Sequence, residues 1–290
     1  MLCRSSTGAI VVAAMLLIAA GNARALDEAN AKYPDWKGQW TRAPTGVAGQ
    51  PQPPFDPSKP WGLGEEAPLT PEYQAIYEAN LRDQAAGGPG TNGASCRSHG
   101  MPMMMNVLAP MEIVVLPEVT YILTSDVHAY VRRVFTDGRE WPENIEPAFQ
   151  GGLSLGKWID DDGNGRYDVL EIETRGFKGP RVYDDSGIPL HADNQSIIKE
   201  RLYLDKADRN LLHDDITVFD HALTRPWAVA KSYRRNANPR PLWVESECEE
   251  GQAHVQIGKE GYFLSAEGLL MPAKKGQTPP DLRYFNQSRK

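Results

Sequence analysis

The sequence contains no apolar run long enough to span a membrane. The apolar stretch from Ala9 to Ala20 holds about a dozen residues, whereas a spanning helix needs ~20. No cysteine follows this stretch where a lipoprotein signal would require one, because Cys3 precedes it. A basic start, an apolar stretch and small residues ending at Ala25 are instead typical of a signal peptide. We therefore expect cleavage after Ala25, a mature chain without a membrane span, and a periplasmic or secreted location.

Basic side chains are also in short supply. The whole chain carries 31 Lys and Arg against 38 Asp and Glu, which gives a net charge of −7. Removal of the expected signal peptide removes Arg4 and Arg24, leaves 29 basic side chains and changes the net charge to −9. Nucleic acid and anionic lipid attract basic surfaces, so the charge balance argues against both as partners.

Cysteine is rare, with three residues in the chain. Only Cys96 and Cys248 remain after the signal peptide, and an even pair in an oxidising compartment is typical of a disulfide. Closing a loop on the order of 150 residues would stabilise the fold by roughly 4 to 5 kcal/mol in the chain-entropy model. The alternative is two unconnected buried thiols.

The secondary-structure signals change at about residue 90. Residues 26–68 are rich in Pro, Gly and Trp, which predicts an extended arm lying over the domain. Thr70 and Pro71 mark a helix start, apolar side chains recur at helical spacing as far as Leu81, and Gly87-Gly88 predict the helix end. We therefore assign residues 26–90 to an arm and one short helix, and residues 91–290 to one β-rich globular domain.

Beyond residue 90, apolar side chains recur at every second position. Runs with this period are separated by turn residues and cover 111–124, 127–135, 153–159, 169–174, 197–204, 216–219, 227–233 and 242–247. Many short strands predict a mainly β fold, either an antiparallel barrel of the lipocalin type or, as the second choice, an open sandwich.

Residues 160–168 read Asp-Asp-Asp-Gly-Asn-Gly-Arg-Tyr-Asp, which is the sharpest local motif. Oxygen ligands at alternate positions, with Gly allowing a tight turn, suit Ca²⁺. The spacing matches an EF-hand loop, but strand-like flanks favour a hairpin loop similar to those of FG-GAP repeats. The expected ligands are the side chains of Asp160, Asp162, Asn164 and Asp168 and the carbonyl of Arg166. A bound ion would pin the hairpin, and the alternative is a solvated turn without an ion.

The six histidines, at positions 99, 128, 191, 213, 221 and 254, include no pair at i, i+4 spacing, which excludes a helical metal motif of that type. His191 is the strongest candidate for chemistry, because Asp193 follows closely and a carboxylate can poise an imidazole as a general acid or base. Glu200 and Arg201 on the next strand complete the predicted catalytic set.

His128 shares one strand face with Arg132, so this face either lines a barrel interior or forms a polar outer surface. Asp137 and Arg139 lie in the turn that ends this strand. We take His128, Asp137 and Arg139 as ligand contacts of a protein that binds a small apolar or aromatic molecule. Two alternatives are an enzyme, either a hydrolase, a lyase or an isomerase, with His191 as its acid or base, and a calcium-stabilised structural or interaction module.

Several short motifs occur in order between about Cys96 and Glu250. They are Gly100-Met101-Pro102, Glu112-Ile113, Asp137-Gly138-Arg139 with Pro142, Gly152 to Trp158, His191, Glu200-Arg201 and Glu247-Cys248. In this order they resemble a family of exported proteobacterial proteins that has no settled activity. The resemblance implies export but supplies no reaction. The acidic loop is longer than the turn that usually follows the tryptophan in that family.

Overall fold

The described part of the chain is built mainly from β-strands. The structure is a computed structural model, and it describes residues 31–43, 58–86, 100–106, 108–125, 131–145, 151–179, 181–184, 186–243, 254–257, 260–264, 269–272 and 276–277. The expected signal peptide, His128, Cys96 and Cys248 lie outside these residues. Signal cleavage, the disulfide and the role of His128 therefore stay predictions.

The elements follow one another with a single α-helix among the described residues. The helix α1 spans Pro71–Ala85, and a short 3-10 helix spans Met103–Met105. The strands are β1 Gln39–Arg42, β2 Met111–Val115, β3 Val119–Thr124, β4 Val131–Phe135, β5 Leu153–Ile159, β6 Val169–Arg175, β7 Arg181–Val182, β8 Pro189–Leu190, β9 Ile197–Leu204, β10 Leu211–Phe219, β11 Trp227–Arg235, β12 His254–Ile257, β13 Glu260–Leu264 and β14 Leu270–Pro272.

Nine of the described strands close into a barrel, in the order β1-β11-β10-β9-β6-β5-β4-β3-β2. Neighbouring strands are antiparallel except β4 and β5, which run parallel where Val134 pairs with Ser154. An odd number of strands cannot close through antiparallel pairs alone, so one parallel pair is a geometric necessity. The predicted mainly β fold is confirmed, and it takes the form of a barrel rather than a sandwich.

Strand β1 lies in the segment that the composition predicts to be an arm. Trp40 pairs with Arg235 of β11 and with Met111 of β2, so β1 joins the two edges of the sheet. The Trp40 side chain is fully buried, and its indole donates a hydrogen bond to the Trp36 carbonyl. Residues 39–42 of the predicted arm therefore contribute a strand to the barrel.

Helix α1 covers one end of the barrel, which we call the covered end. It begins at the predicted position, where the Thr70 hydroxyl accepts a hydrogen bond from the first turn. Tyr77 is its buried residue, and the Tyr77 hydroxyl lies 2.7 Å from Ser186 Oγ in the β7–β8 hairpin. Leu69, just before the helix, pairs with Leu223 in the turn between β10 and β11. No helix in the described ranges is both long enough and apolar enough to cross a membrane.

The barrel interior is filled by alternate side chains of its strands. Fully buried apolar residues include Ile122, Leu170 and Ile216, which come from widely separated strands. Charged side chains occupy some of the same inward positions, including Arg132 and Asp214. Because an isolated charge is costly in an apolar interior, the partners of these groups decide what the interior can do.

Candidate functional site

One charged pair crosses the barrel interior. Arg132 is 1% exposed and donates hydrogen bonds to both carboxylate oxygens of Glu200, with Nη1 2.8 Å from Oε1. Its Nε donates to Ser154 Oγ at 3.0 Å and its Nη2 to Thr174 Oγ1 at 2.9 Å. The two hydroxyls are 2.8 Å apart and hydrogen-bond to each other. This Arg132 cluster of Arg132, Ser154, Thr174 and Glu200 thus provides its own charge partners and hydrogen bonds.

Asp214 occupies another inward position, on β10, but its carboxyl group lacks the hydrogen bonds that Glu200 has. It is fully buried, and neither carboxylate oxygen has a hydrogen-bond partner in the described part of the chain. Burial above all, and then the nearby charge of Glu200, raise the pKa of Asp214 well above its usual value. Lys231 stands directly opposite Asp214 on β11. Asp214 therefore behaves as a neutral acid over a wider pH range than an ordinary aspartate.

Lys231 points inward from β11 and is only 4% exposed. Its ammonium nitrogen lies 3.6 Å from Glu65 Oε1, which comes from the segment that precedes α1. Burial, and next the charge of Arg42, lower the pKa of Lys231 to about 8, although Glu65 acts in the opposite direction. Lys231 therefore loses its proton more readily near neutral pH than an ordinary lysine.

Two aromatic side chains lie beside this lysine. The Tyr183 ring centroid is 5.5 Å from Lys231 Nζ and 4.4 Å from the Trp227 ring centroid. The Tyr183 hydroxyl and Trp227 Nε1 are buried, and neither has a hydrogen-bond partner among the residues described. Burial, followed by the charges of Glu65 and Asp184, raises the pKa of Tyr183 well above its usual value. We refer to Lys231, Glu65, Tyr183 and Trp227 as the Lys231 site.

The predicted catalytic residues do not meet at one site. Glu200 lies inside the barrel, whereas Arg201 points outward, because successive strand side chains face opposite sides. Arg201 pairs outside the barrel with Asp161 at 2.8 Å and with Glu171 at 2.9 Å. His191 follows β8 at the covered end. A joint catalytic role of His191, Glu200 and Arg201 thus stays a prediction without a shared site.

Two of the predicted ligand contacts lie on the outer wall of the barrel. Asp137 and Arg139 form an exposed ion pair, and the guanidinium of Arg139 lies 3.7 Å from the Phe135 ring centroid. Hydrogen bonds from Arg139 lower the pKa of Asp137 to about 2. Arg139, Glu200 and Arg201 all line an outer groove of about 630 Å³ beside Trp141. The groove therefore brings three of the predicted site residues together, and neither His191 nor Lys231 is among the residues that line it.

The acidic loop connects β5 and β6, which pair as antiparallel neighbours. Asp160 accepts hydrogen bonds from the backbone amides of Asn164 at 3.0 Å and Gly165 at 2.8 Å. Asp168 accepts one from the Asp161 amide at 2.8 Å. The loop carboxylates are thus turned towards the loop's own backbone. The Ca²⁺ site stays a prediction, with its ligands Asp160, Asp162, Asn164, Arg166 and Asp168.

A cluster of His191, Asp193 and His221 lies at the covered end. Asp193 Oδ1 is 3.3 Å from Nδ1 of His191, and Asp193 Oδ2 is 2.5 Å from Nδ1 of His221. Partial burial acts to raise the pKa of Asp193, but hydrogen bonds from the Gln195 amide and from His221 outweigh it, so the pKa lies below its usual value. A carboxylate held between two imidazoles is an arrangement suited to proton transfer or to metal binding.

Asp220 holds the two loops of this cluster together. Its Oδ1 accepts hydrogen bonds from the backbone amides of His191 at 2.9 Å and Ala222 at 2.8 Å. Its Oδ2 accepts a hydrogen bond from the Ser196 hydroxyl. The Tyr73 ring, from the first turn of α1, lies 5.5 Å from the His191 ring. The loop that carries His191 is therefore fixed by contacts with two other segments.

Sequence reasoning found part of these sites and missed the rest. It singled out His191 with Asp193, but His221 lies in another loop and carries no local signal that links it to them. Lys231 had a usable signal, because Trp227, Val229 and Tyr233 share its strand face and are apolar or aromatic. A charged residue in the middle of such a face is unusual and indicates a buried charge.

No family model and no curated protein matches this chain. The resemblance to an exported proteobacterial family therefore stays a prediction.

Proposed function

We propose that this protein is an exported β-barrel protein that binds a small aromatic molecule bearing a hydrogen-bond acceptor, at the Lys231 site. The observation that carries the proposal is the pair of buried donors, the Tyr183 hydroxyl and Trp227 Nε1, that have no partner among the described residues. A buried donor without an acceptor costs roughly 1–3 kcal/mol, and an acceptor on a ligand would offset that cost. The Tyr183 and Trp227 rings pack against each other with centroids 4.4 Å apart, so a planar ligand would contact them from one side as an apolar surface.

The charges around the site favour an anionic acceptor such as a carboxylate. Lys231 and Arg42 are basic, and Glu65 approaches Lys231 only to 3.6 Å, which is longer than a charge-assisted hydrogen bond. Burial raises the pKa of Asp184 and that of Asp214, two further acidic side chains that interact with this lysine. An aromatic carboxylate would bring an anion next to Lys231 and an apolar ring next to Tyr183. The expected signal peptide supports a periplasmic or secreted setting for this binding.

Titration of the untagged protein with aromatic carboxylates and their neutral amides tests the proposal. We expect saturable changes in tryptophan fluorescence, because Trp227 lies in the site, and tighter binding of the acids than of the amides. Lys231→Met should weaken binding of the acid about 10- to 100-fold, since a hydrogen bond to a charged group contributes roughly 1.5–3 kcal/mol. The amide should lose much less affinity, because it offers Lys231 no charge.

Lys199→Met is the matched control. Lys199 lies on the outer face of β9, its side chain is 56% exposed, and its substitution should leave binding unchanged. Absence of saturable binding across the panel would contradict the proposal, as would an equal loss of affinity in the Lys199 and Lys231 variants.

An enzyme is the second candidate, and the lowered pKa of Lys231 is the observation that favours it. An amine with a pKa of about 8 is available as a nucleophile towards a carbonyl group near neutral pH. Borohydride reduction in the presence of an aromatic aldehyde should then leave a covalent adduct on Lys231. The same treatment of Lys231→Met should leave no adduct at this position. If the wild-type protein gives none, binding without catalysis is the better description of the site.

A further inference from the structure

We propose that His191, Asp193 and His221 bind a divalent metal ion of the zinc class, at a site separate from the Lys231 site. One carboxylate lies between two imidazoles, with Asp193 oxygens 3.3 Å from His191 Nδ1 and 2.5 Å from His221 Nδ1. One ligand atom from each residue lies within 4.8 Å of the other two, and no other group of three described His, Cys, Asp or Glu residues satisfies this condition. Ligands of a tetrahedral zinc ion lie about 3.4 Å apart, so side-chain rotations would bring all three onto one ion. His191 Nδ1 accepts a hydrogen bond from the Asp193 backbone amide at 3.1 Å, and a zinc ion at that nitrogen would replace this hydrogen bond.

The donor atoms select the class of metal. Two imidazole nitrogens and one carboxylate oxygen suit zinc and the neighbouring first-row transition metals. Calcium and magnesium prefer sites made of oxygen alone. The His191 cluster is therefore distinct in its ion preference from the predicted Ca²⁺ loop, which offers only oxygen ligands.

The ligands are held in place by residues outside the set. Asp220 accepts hydrogen bonds from the backbone amides of His191 and Ala222, so it fixes the loops that carry both imidazoles. The two imidazole rings are 5.7 Å apart between centroids and nearly perpendicular, at 83°. Because the backbone of both loops is already ordered, less conformational entropy is lost when the side chains converge on an ion.

The cluster is open to solvent on one side. The side chains of His191 and Asp193 are 36% and 24% exposed, and that of His221 is 65% exposed. Three protein ligands leave a fourth position of a tetrahedral ion for water or another small ligand, as in catalytic rather than structural zinc sites. A chelator should therefore reach and remove the ion without unfolding the barrel.

Calorimetric titration with zinc sulfate tests the proposal directly. The protein is untagged, treated with chelator and dialysed, because a polyhistidine tag would itself bind zinc. We expect one ion per chain at neutral pH, and about 100-fold weaker binding after His221→Ala, which removes a ligand. His221 is exposed, so this substitution should preserve the fold, which circular dichroism checks. Asp137→Asn alters an exposed carboxylate outside the cluster and should leave zinc affinity unchanged.

Cobalt supplies a second readout that does not depend on activity. We expect Co²⁺ to give the strong visible absorption of a four- or five-coordinate ion in the wild-type protein and to lose it in Asp193→Asn. Calcium in excess should displace neither metal. Zinc binding that survives both the His221 and the Asp193 substitutions would assign the ion to another part of the chain and overturn the proposal. Absence of stoichiometric binding would overturn it as well.

Discussion

The Arg132 cluster and the Lys231 site are both charged, and both lie inside the same barrel. In the Arg132 cluster the guanidinium is bonded to both oxygens of Glu200 and to two hydroxyls. In the Lys231 site the only close ion pair spans 3.6 Å, and two buried donors have no partner among the described residues. Buried polar groups are nearly always satisfied in native proteins, so the second arrangement calls for a partner that the first does not need.

The two regions also differ in where their residues come from. Every member of the Arg132 cluster lies on a barrel strand, and its geometry is fixed once the strands pair. The Lys231 site combines two residues of β11 with Glu65 and Tyr183, which come from segments that cover the barrel end. Segments that join a rigid scaffold from outside are where binding residues are commonly found. This difference supports a structural role for the Arg132 cluster and the proposed ligand-binding role of the Lys231 site.

The largest effect on the free energy of unfolding is expected from Arg132→Met, which tests the structural role of the Arg132 cluster. Arg132→Met leaves the Glu200 carboxylate buried without its charge partner, which typically costs 3–5 kcal/mol. We expect a loss of about that size in the free energy of unfolding, measured by urea denaturation. Binding at the Lys231 site should change little in the fraction that stays folded.

Two further variants separate a buried pair from a simple loss of packing. Arg132→Met combined with Glu200→Met should recover most of the lost stability, because replacing both charges by apolar groups is often neutral. Arg133→Met on the outer face of the same strand should change stability by less than about 0.5 kcal/mol. A double variant as unstable as Arg132→Met alone would show that the pair is not the source of the loss.

Asp214 lies directly opposite Lys231 and, unlike Glu200, has no hydrogen-bond partner among the described residues. Asp214→Asn should therefore change the stability of the fold by about 1–3 kcal/mol, to an extent that depends on pH. The raised pKa of Asp214 means that the folded chain keeps this proton after the unfolded chain has released it. The stability of the wild-type protein should therefore fall as pH rises above about 4, the usual pKa of aspartate, until the folded pKa is reached. Asp214→Asn has no carboxyl group to titrate at this position, so its stability should increase relative to that of the wild type as pH rises.

Denaturation at several pH values between 5 and 8 measures this difference. Asp215→Asn is the matched control, because Asp215 is the next residue on β10 and its carboxylate bonds to the Tyr203 hydroxyl at 3.2 Å on the outer face. It should not reproduce the pH trend of the Asp214 variant. If wild type and Asp214→Asn keep a constant difference across this range, Asp214 is charged in the folded state and the interpretation fails.

The sequence predicted the architecture well, because the barrel depends on a local pattern. Alternating apolar residues gave β5 and β9 their correct extents, and Thr70 marked the helix start. The prediction was weakest where polar residues interrupt the pattern. Strand β10 begins at Leu211, but His213, Asp214 and Asp215 concealed its first half and with it the buried carboxylate.

The contents of the candidate sites were harder to predict than the strands that carry them. Strand β1 is only 4 residues long and lies in a segment rich in Pro and Gly, so its role in closing the barrel depends on pairing with distant strands. Glu65 meets Lys231, and Asp193 meets His221, across long stretches of chain. Such contacts depend on the closed barrel, and a single sequence carries no local trace of them.

The acidic loop extends the comparison to an exposed region and gives the smallest expected effect. Its carboxylates accept hydrogen bonds from the loop's own amides, and Arg201 pairs with Asp161, so like the Arg132 cluster it provides many of its own partners. If calcium binds with the millimolar to 0.1 mM affinity of extracellular modules, 1 mM calcium should stabilise the fold by only about 0.4–1.4 kcal/mol. Thermal unfolding with and without calcium measures this, and Asp160→Asn should abolish the shift whereas Asp137→Asn should not. A much larger stabilisation would mean that the loop carboxylates are not satisfied by the loop's own amides. The loop would then resemble the Lys231 site, which needs an external partner, rather than the Arg132 cluster.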